Sequence, residues 1–336
     1  MSLPPGKIPI DLLKDVVFKH LGAHRPEVAI GPSAGIDSAV INAGDKSVIV
    51  SMDPITGAVE RIGWLSVNVN ANDVATFGVE PAFLVSCLLL PEGADRGMVE
   101  AISGQMGAAA EALGMAIVGG HCESTPKLQH PIVVGCAIGV TEKGKYVTAA
   151  GAKAGDKLIL TKSAGIEGTA ILASDREAEL QKALSADLLR SAKAFYRQIS
   201  VVKDALTAYR TGGVHAMHDP TEGGVAGGIH EMADAAGLGV KVFEKEIAVQ
   251  PETSGICRFF DLDPLQLIGS GALLVAAEAD KADAIIGSLR NQRVQAAVVG
   301  EFLADKNARL VARRNGAVEA LPRPKSDHLW KALSRQ

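Results

Sequence analysis

The sequence predicts an α+β protein with two domains, and three observations lead to that prediction. The chain has 336 residues, which is more than one simple hydrophobic core usually accommodates. Strand-like and helix-like stretches are mixed without the regular βαβ rhythm of a doubly wound sheet. The small-residue segment AAGAKAGDK at 149–157 interrupts the pattern, as a domain boundary does. We therefore expect domains at residues 1–148 and 149–323, followed by a tail at 324–336.

The first half of the chain predicts helices interspersed among strands. The amphipathic segment DLLKDVVFKHL predicts a helix that stops at Gly22. Residues 62–77 are ambiguous, because SVNVNAN alternates like a strand whereas the bulky apolar residues are spaced as on a helix. We interpret this segment as a helix. An alanine-rich run predicts another helix at 97–113, and short apolar runs predict strands at 28–31, 38–42, 47–52, 82–90, 115–120 and 131–140.

The second half predicts strands around several helices. The segment KLILTKS opens with a strand, helical patterns fill about 176–210, and the strand VHAMHD leads into PTEGG. In MHDPTEGG, Asp219 suits a helix N-cap, Pro220 the first helical residue and Glu222 the capping-box partner. The remaining patterns predict strands at 240–247, 267–277, 296–302 and 309–313, and helices near 253–260 and 281–291.

The composition excludes several classes of function. Only 4% of the residues are aromatic and the formal net charge is -4, so neither base stacking nor a basic field favours nucleic-acid binding. The longest apolar run, AFLVSCLLL, is too short to span a bilayer. No CxxC pair occurs, and the first residues lack the apolar region of a signal peptide. We expect a cytoplasmic protein without nucleic-acid or membrane partners.

Carboxylates beside glycines are the strongest candidates for a functional site. Each of these residues alone is more often a cap or a turn residue. Together they would suit Mg²⁺, which prefers oxygen ligands and bridges to phosphate oxygens. Neighbouring glycines would let the backbone approach those phosphates. His215 and His218 have the spacing HxxH, but a strand would point them to opposite faces. The carboxylates concerned are Asp37, Asp53, Asp73, Glu123 and Asp219.

Six motifs in this order resemble the PurM-like ATP-dependent superfamily, also called AIR synthase-related. The resemblance covers residues 28–300 and is nearest to the branch of the hydrogenase maturation protein HypE. The superfamily also includes aminoimidazole ribonucleotide synthetase, selenophosphate synthetase and thiamine monophosphate kinase. The motifs are GPSAGIDSAVI, SMD, NANDVATFGVEP, AIVGGHCE, GDKLILTKSAGIEGTAIL and MHDPTEGGVAGGIHEMA.

The resemblance implies a PurM-like two-domain fold. Its N-terminal mixed sheet would pair across a homodimer into one barrel, and its C-terminal domain would be an α/β sandwich. ATP would lie in the cleft between the domains, near the dimer interface, together with Mg²⁺.

The resemblance also assigns roles to individual residues. Three carboxylates would hold the metal: Asp37, Asp53 and Asp73. Beyond what the resemblance assigns, our own interpretation is that His121 and Glu123 act on the acceptor. The nucleotide would contact Asn72, Gly119, Gly120, Asp219, Gly223 and Gly224.

Four departures from the HypE pattern bear on the chemistry. Ile36 stands where one of two paired aspartates is usual, and His121 stands where aspartate follows the glycines. Glu222 replaces an arginine. HypE ends in a cysteine that receives a carbamoyl group, whereas this sequence has no cysteine after Cys257. We therefore do not expect this chain to modify its own C-terminus.

The expected function is that of an ATP- and Mg²⁺-dependent enzyme of the HypE type. It would use the γ-phosphate to activate an amide or acid oxygen, or to phosphorylate a small acceptor, as in hydrogenase or metallocofactor maturation. The acceptor would be a small molecule or a group on a partner protein. One alternative is a small-molecule kinase like thiamine monophosphate kinase. Another is a nucleotide-binding assembly protein without catalysis, which the changes at Ile36 and Glu222 favour slightly.

Overall fold

The computed structural model describes residues 6–33 and 35–334, which contain two β-sheets with helices packed against them. The first sheet has the strand order β1-β2-β3-β6-β4-β5, and all neighbours are antiparallel except β4 and β5. Its strands are β1 Val28–Ile30, β2 Ala39–Ala43, β3 Lys46–Ile55, β4 Pro81–Pro91, β5 Ala116–Thr125 and β6 Ile132–Glu142. The helices of this half are α1 Ile10–Asp15, α2 Ile62–Ala75 and α3 Arg96–Leu113.

The second sheet has the order β13-β12-β9-β11-β7-β10-β8, and β12 and β9 form its one parallel pair. Its strands are β7 Lys157–Thr161, β8 Val214–His218, β9 Gly239–Phe243, β10 Leu274–Ala277, β11 Ala296–Leu303, β12 Arg309–Ala312 and β13 Val318–Ala320. Its helices are α4 Ile166–Asp175, α5 Glu177–Leu180, α6 Ala186–Lys193, α7 Val202–Thr211, α8 Gly224–Ala235, α9 Pro251–Phe260, α10 Ala282–Asn291 and α11 His328–Leu333.

Helix α2 connects the two halves of the molecule. Thirteen of its residues are buried, which explains its ambiguous pattern, because a helix surrounded by protein needs no polar face. Trp64 donates its indole N–H to the carbonyl oxygen of Tyr196 at 2.8 Å. Asn72 donates to the carbonyl oxygen of Ile199 and accepts from the N–H of Val201. These bonds fix α2, and the acidic residue that it carries, against the second half.

Among the described residues, helices cover one face of the first sheet and leave the other face uncovered. Residues of β3 and β6 alternate in burial, and the buried set faces α2, on which α3 packs. The opposite face carries apolar side chains in solvent, such as Met52, which is 63% exposed, and Phe83, which is 41% exposed. Strand β5 is exposed along nearly its whole length. We call this apolar surface the open face of the first sheet.

The predicted α+β class is confirmed, and so is the helix interpretation of 62–77. The strand predicted at 267–277 was too long, because β10 covers only Leu274–Ala277. Before it, Gly271 has a φ of 109° that only glycine adopts readily. The helical stretch predicted at 176–210 is divided into α5, α6 and α7. Helices α4 and α11 were not predicted. The domain limits and the barrel across a dimer stay predictions.

Within the two described ranges, no helix combines the length with the apolar character that crossing a bilayer requires. All four cysteines are free thiols, and Cys257 is the buried one among them.

Candidate functional site

Four of the predicted aspartates come together where the two halves meet. Asp53 lies near the end of β3, Asp73 lies on α2, and Asp219 follows β8. The hydroxyl oxygen of Ser51 is 2.6 Å from Oδ2 of Asp73 and 2.9 Å from the carbonyl oxygen of Asp37. Strand ends, a helix and a loop thus bring Asp37, Asp53, Asp73 and Asp219 into one acidic cluster, which the sequence could suggest but not demonstrate.

The electrostatics of the acidic cluster favour a bound cation. Burial and then the charges of neighbouring aspartates raise the pKa of Asp73 well above its ordinary value. Burial also raises the pKa of Asp53. Burial and the charge of Asp37 raise the pKa of Asp219 to about 7. Both carboxylate oxygens of Asp219 are buried without a hydrogen-bond partner. A divalent cation would relieve this repulsion and supply the missing partner.

His218 is a member of the cluster that the sequence did not assign. Its Nδ1 lies 2.6 Å from Oδ2 of Asp37, and its Nε2 lies 2.8 Å from Oε2 of Glu231. Burial alone would lower the pKa of His218, but these two carboxylates raise it well above its ordinary value. Potential ligand atoms of Asp37, His218 and Asp219 all lie within 4.8 Å of one another. The available signal was that His218 directly precedes Asp219 at the end of a strand. As predicted, His215 points elsewhere and contacts Asp156.

The helix after MHDPTEGG begins later than the capping pattern suggests. Helix α8 starts at Gly224, and its N-cap is Gly223 with a φ of 84°. The prediction of Asp219 as N-cap was therefore wrong, because Asp219 is drawn into the acidic cluster instead. The N–H of Gly223 donates to Oδ2 of Asp327 at 2.7 Å, and the N–H of Gly224 donates to the carbonyl oxygen of Thr221. Both glycine N–H groups that the resemblance assigned to phosphate thus have partners within the chain.

A cleft with a volume of about 420 Å³ adjoins the acidic cluster. That volume falls in the range of small-molecule sites, about 300–1,000 Å³. Apolar side chains, including Trp330 of α11, line one part of it. Burial raises the pKa of Glu167, on its wall, to about 7. Its charged and polar lining includes Lys7, Asp53, Glu167, Thr221, Glu222, Ser270 and Asp327.

The predicted residues of β5 lie away from this cluster within one chain. Asp53 of β3 is in register with Gly120 of β5, with β6 and β4 between them. At about 4.8 Å per strand, the two backbones are about 14 Å apart. His121 occupies the next register position, so its side chain faces the opposite side, the open face. Its Nε2 lies 3.0 Å from Oε2 of Glu123, and both side chains are about half exposed. Gly119 lies on the same strand. Within one chain, these residues are therefore separated from the acidic cluster by two intervening strands.

Asn72 is also occupied by the fold. Its amide donates to the carbonyl oxygen of Ile199 and accepts from the N–H of Val201, and the residue is fully buried, so its side chain is not exposed to a nucleotide. The roles assigned to the individual site residues stay predictions.

Sequence comparison decides which family this architecture belongs to. Models of the N-terminal and C-terminal domains of AIR synthase related protein match residues 35–141 and 153–313, respectively. The chain belongs to the AIR synthase related family. The resemblance predicted from the six motifs is thereby confirmed.

Relatives of this chain include a hydrogenase expression/formation protein and a carbamoyl dehydratase. A putative hydrogenase expression/formation protein of Methanocaldococcus jannaschii is 29% identical over 85% of this chain and 84% of its own length. The carbamoyl dehydratase HypE of Rhizobium leguminosarum is 27% identical over 82% of this chain and 79% of its own length.

Solved structures share the fold over nearly the whole chain. HypE of E. coli superposes with a TM-score of 0.73 at 25% identity, covering 95% of this chain and 98% of that protein. A HypE in complex with ATP gives 0.71 at 22% identity and covers 96% of both chains. Thiamine monophosphate kinase of Aquifex aeolicus gives 0.64 at 16% identity, covering 87% of this chain and 93% of the kinase. The PurM-like fold is confirmed.

Proposed function

We propose that this protein is an ATP- and Mg²⁺-dependent enzyme of the HypE type, which uses the γ-phosphate to activate an amide or acid oxygen. The observation that carries the proposal is the acidic cluster of aspartates from both halves of the chain, at the edge of a cleft of nucleotide size. Names of relatives support the reaction type, since several are carbamoyl dehydratases. A HypE with the same fold has been solved with ATP bound.

The charge of the cleft argues that nucleotide binding requires a divalent cation. Asp53, Glu167, Glu222 and Asp327 line it, and their charges would repel a free triphosphate. Carboxylates of the acidic cluster offer the oxygen ligands that Mg²⁺ prefers. Asp37, Asp53, Asp73 and Asp219 would hold the ion, which neutralises phosphate charge when bound. The chain itself contributes a buried site in which the transferred group is positioned and shielded from water.

The acceptor is proposed to belong to another molecule. Cys257 is the last cysteine of the sequence, and it is 2% exposed in helix α9. Burial raises the pKa of its thiol to about 12, so that thiolate is scarce near neutral pH. Cys122 is exposed but lies on β5, three strands away from Asp53. A HypE has been solved in complex with the protein HypF, which supports a maturation partner protein as carrier of the acceptor.

The open face supports a homodimer, and with it the barrel that the resemblance implies. Exposure of large apolar side chains on a sheet face to water is unfavourable. In addition, β5 is an exposed edge strand with unpaired backbone groups. A second copy of the chain would cover both and would carry His121 and Glu123 toward the interface. The free thiols are consistent with the proposed cytoplasmic location.

A kinase acting on a small molecule is the second candidate, favoured by the similarity in fold to thiamine monophosphate kinase. Both candidates are tested by incubating the chain with MgATP and a panel of acceptors, with release of ADP and phosphate followed together. Activation of an acceptor oxygen ends with free phosphate, whereas a kinase leaves an acceptor that is heavier by one phosphoryl group. Binding of ATP without release of ADP under any condition would instead indicate the assembly protein without catalysis.

A further inference from the structure

The lining of the cleft offers one positively charged side chain that could contact the phosphates of a nucleotide. Among the described residues that line the cleft, Lys7 is the only Lys or Arg, against four carboxylates. His218 is also cationic by its raised pKa, but it is buried and held on both ring nitrogens by Asp37 and Glu231. It therefore offers no donor to a ligand. Lys7 does, because its side chain is 51% exposed.

Lys7 is held at the cleft by its own backbone. Its N–H donates to Oε2 of Glu222 at 2.7 Å, which ties the N-terminal segment to the turn before α8. The preceding Gly6 has a φ of 97°, and a Cβ there would lie 2.8 Å from Nε1 of Trp330 and collide with Glu222. Glycine at position 6 therefore allows the backbone to pass close to Glu222 and Trp330, which places Lys7 at the cleft.

Neighbouring carboxylates attract the ammonium group of Lys7, but the nearest ion pair is too long to be a strong hydrogen bond. Its Nζ lies 3.6 Å from Oε1 of Glu231, longer than the 2.7–2.9 Å of a strong charge-assisted hydrogen bond. Glu231 first, and also Asp37, Asp53 and Glu222, raise the pKa of Lys7 above its ordinary value. The group is therefore charged at any physiological pH, and it stands beside the proposed metal ligands.

We propose that Lys7 is the residue of this site that contacts the nucleotide phosphates directly, and that Glu222 is the positioning residue that anchors it. This inference rests on the proposed function. Glu222 replaces an arginine of the HypE pattern, and the loss of that positive charge is offset because Glu222 holds a lysine from the N-terminal segment in its vicinity. Glu222 thereby acts through Lys7 and not on the nucleotide.

The test compares nucleotides with different numbers of phosphates. Calorimetry in Mg²⁺ measures the affinity of the full chain and of Lys7→Met for ATP and for AMP. We expect the Kd for ATP to rise about tenfold or more, since a charge-assisted hydrogen bond is lost, while the Kd for AMP changes less than about twofold. Lys7→Arg should restore most of the ATP affinity. The matched control is Lys14→Met, an exposed lysine on α1, for which no change is expected.

The outcomes separate this inference from the proposed function. If the wild-type chain does not bind MgATP, the proposed function is wrong and the role of Lys7 is wrong with it. If the wild type binds and Lys7→Met binds equally well, or if both nucleotides weaken equally, only the inference is wrong. Should Lys7→Met fail to fold, Glu222→Ala provides the same comparison, with a smaller selective loss of ATP affinity expected because the anchor alone is removed.

Discussion

Asp219 is a buried carboxylate that destabilises the folded chain when no cation is bound. Its carboxylate is fully buried and its two oxygens have no hydrogen-bond partner. Burial of an ionised carboxylate without a partner is strongly unfavourable. Its pKa of about 7 means that the folded chain accommodates it most easily in the protonated form or beside a cation.

The pKa of Asp219 predicts how stability depends on pH. The folded pKa lies above the unfolded value of about 3.9, so the folded chain binds the proton more tightly. Without divalent cations, the free energy of unfolding should therefore fall as pH rises from about 4 to about 7. Asp219→Asn should reduce this slope and raise the free energy of unfolding at pH 8 by about 1–3 kcal/mol.

Urea denaturation at several pH values, in EDTA, measures this effect. The control is Asp45→Asn, whose side chain is 88% exposed. Glu167 has a raised pKa and the same sign, so part of the slope should remain in Asp219→Asn. If the free energy of unfolding instead increases with pH over this range in both wild type and variant, Asp219 is not a destabilising carboxylate with a raised pKa.

The positions of the cysteines lead to a prediction about which molecule carries the transferred group. Because Cys257 is packed in α9 and no cysteine follows it, this chain should not carry a carbamoyl or cyano group itself. Intact-mass spectrometry after incubation with ATP, carbamoyl phosphate and the carbamoyl-transferring partner should leave its mass unchanged. HypE of E. coli, treated in the same way, serves as the comparison. A stoichiometric gain of one carbamoyl or cyano group on this chain would contradict the prediction.

At the scale of elements, the exposed side chains of β4 and β5 lead to the prediction of a homodimer. Phe83 of β4 is 41% exposed on the open face. Phe83→Glu should convert a homodimer into a monomer at micromolar concentration, because a charge buried at an apolar interface without a partner is unfavourable. Light scattering measures the mass. Ala101→Glu, at an exposed position of α3, should remain dimeric, and a wild-type chain that is already monomeric would overturn the proposed homodimer.

Elements with ordinary periodicity could be predicted from the sequence, whereas elements whose position depends on distant contacts could not. The first-sheet strands show clear apolar patterns, and α2 could be recognised although its burial removed the polar face. The short helix α11 was missed, because its docking depends on the fold: Asp327 caps it and reaches the N–H of Gly223. The start of α8 was misplaced, because a local capping pattern was overridden by long-range contacts of Asp219 and Glu222.

At the scale of the whole molecule, the site exists only because two halves of the chain meet. Asp53 and Asp73 come from the first half, and His218 and Asp219 come from the second. Motif order suggested the aspartates, but proximity over such sequence distances depends on the fold. His218, Glu231 and Lys7 were missed, because histidine on a strand, glutamate on a helix and lysine near a terminus are ordinary residues until their neighbours are known.

The central claim is that this acidic cluster binds MgATP, and calorimetry of ATP binding with and without Mg²⁺ tests it most directly. Wild type should bind ATP only when Mg²⁺ is present. Asp73→Asn and Asp53→Asn should each weaken that binding by about tenfold or more, because each removes a charged oxygen ligand. Thermal unfolding of both variants confirms that they fold. An ATP affinity that is unchanged in both variants would contradict the claim.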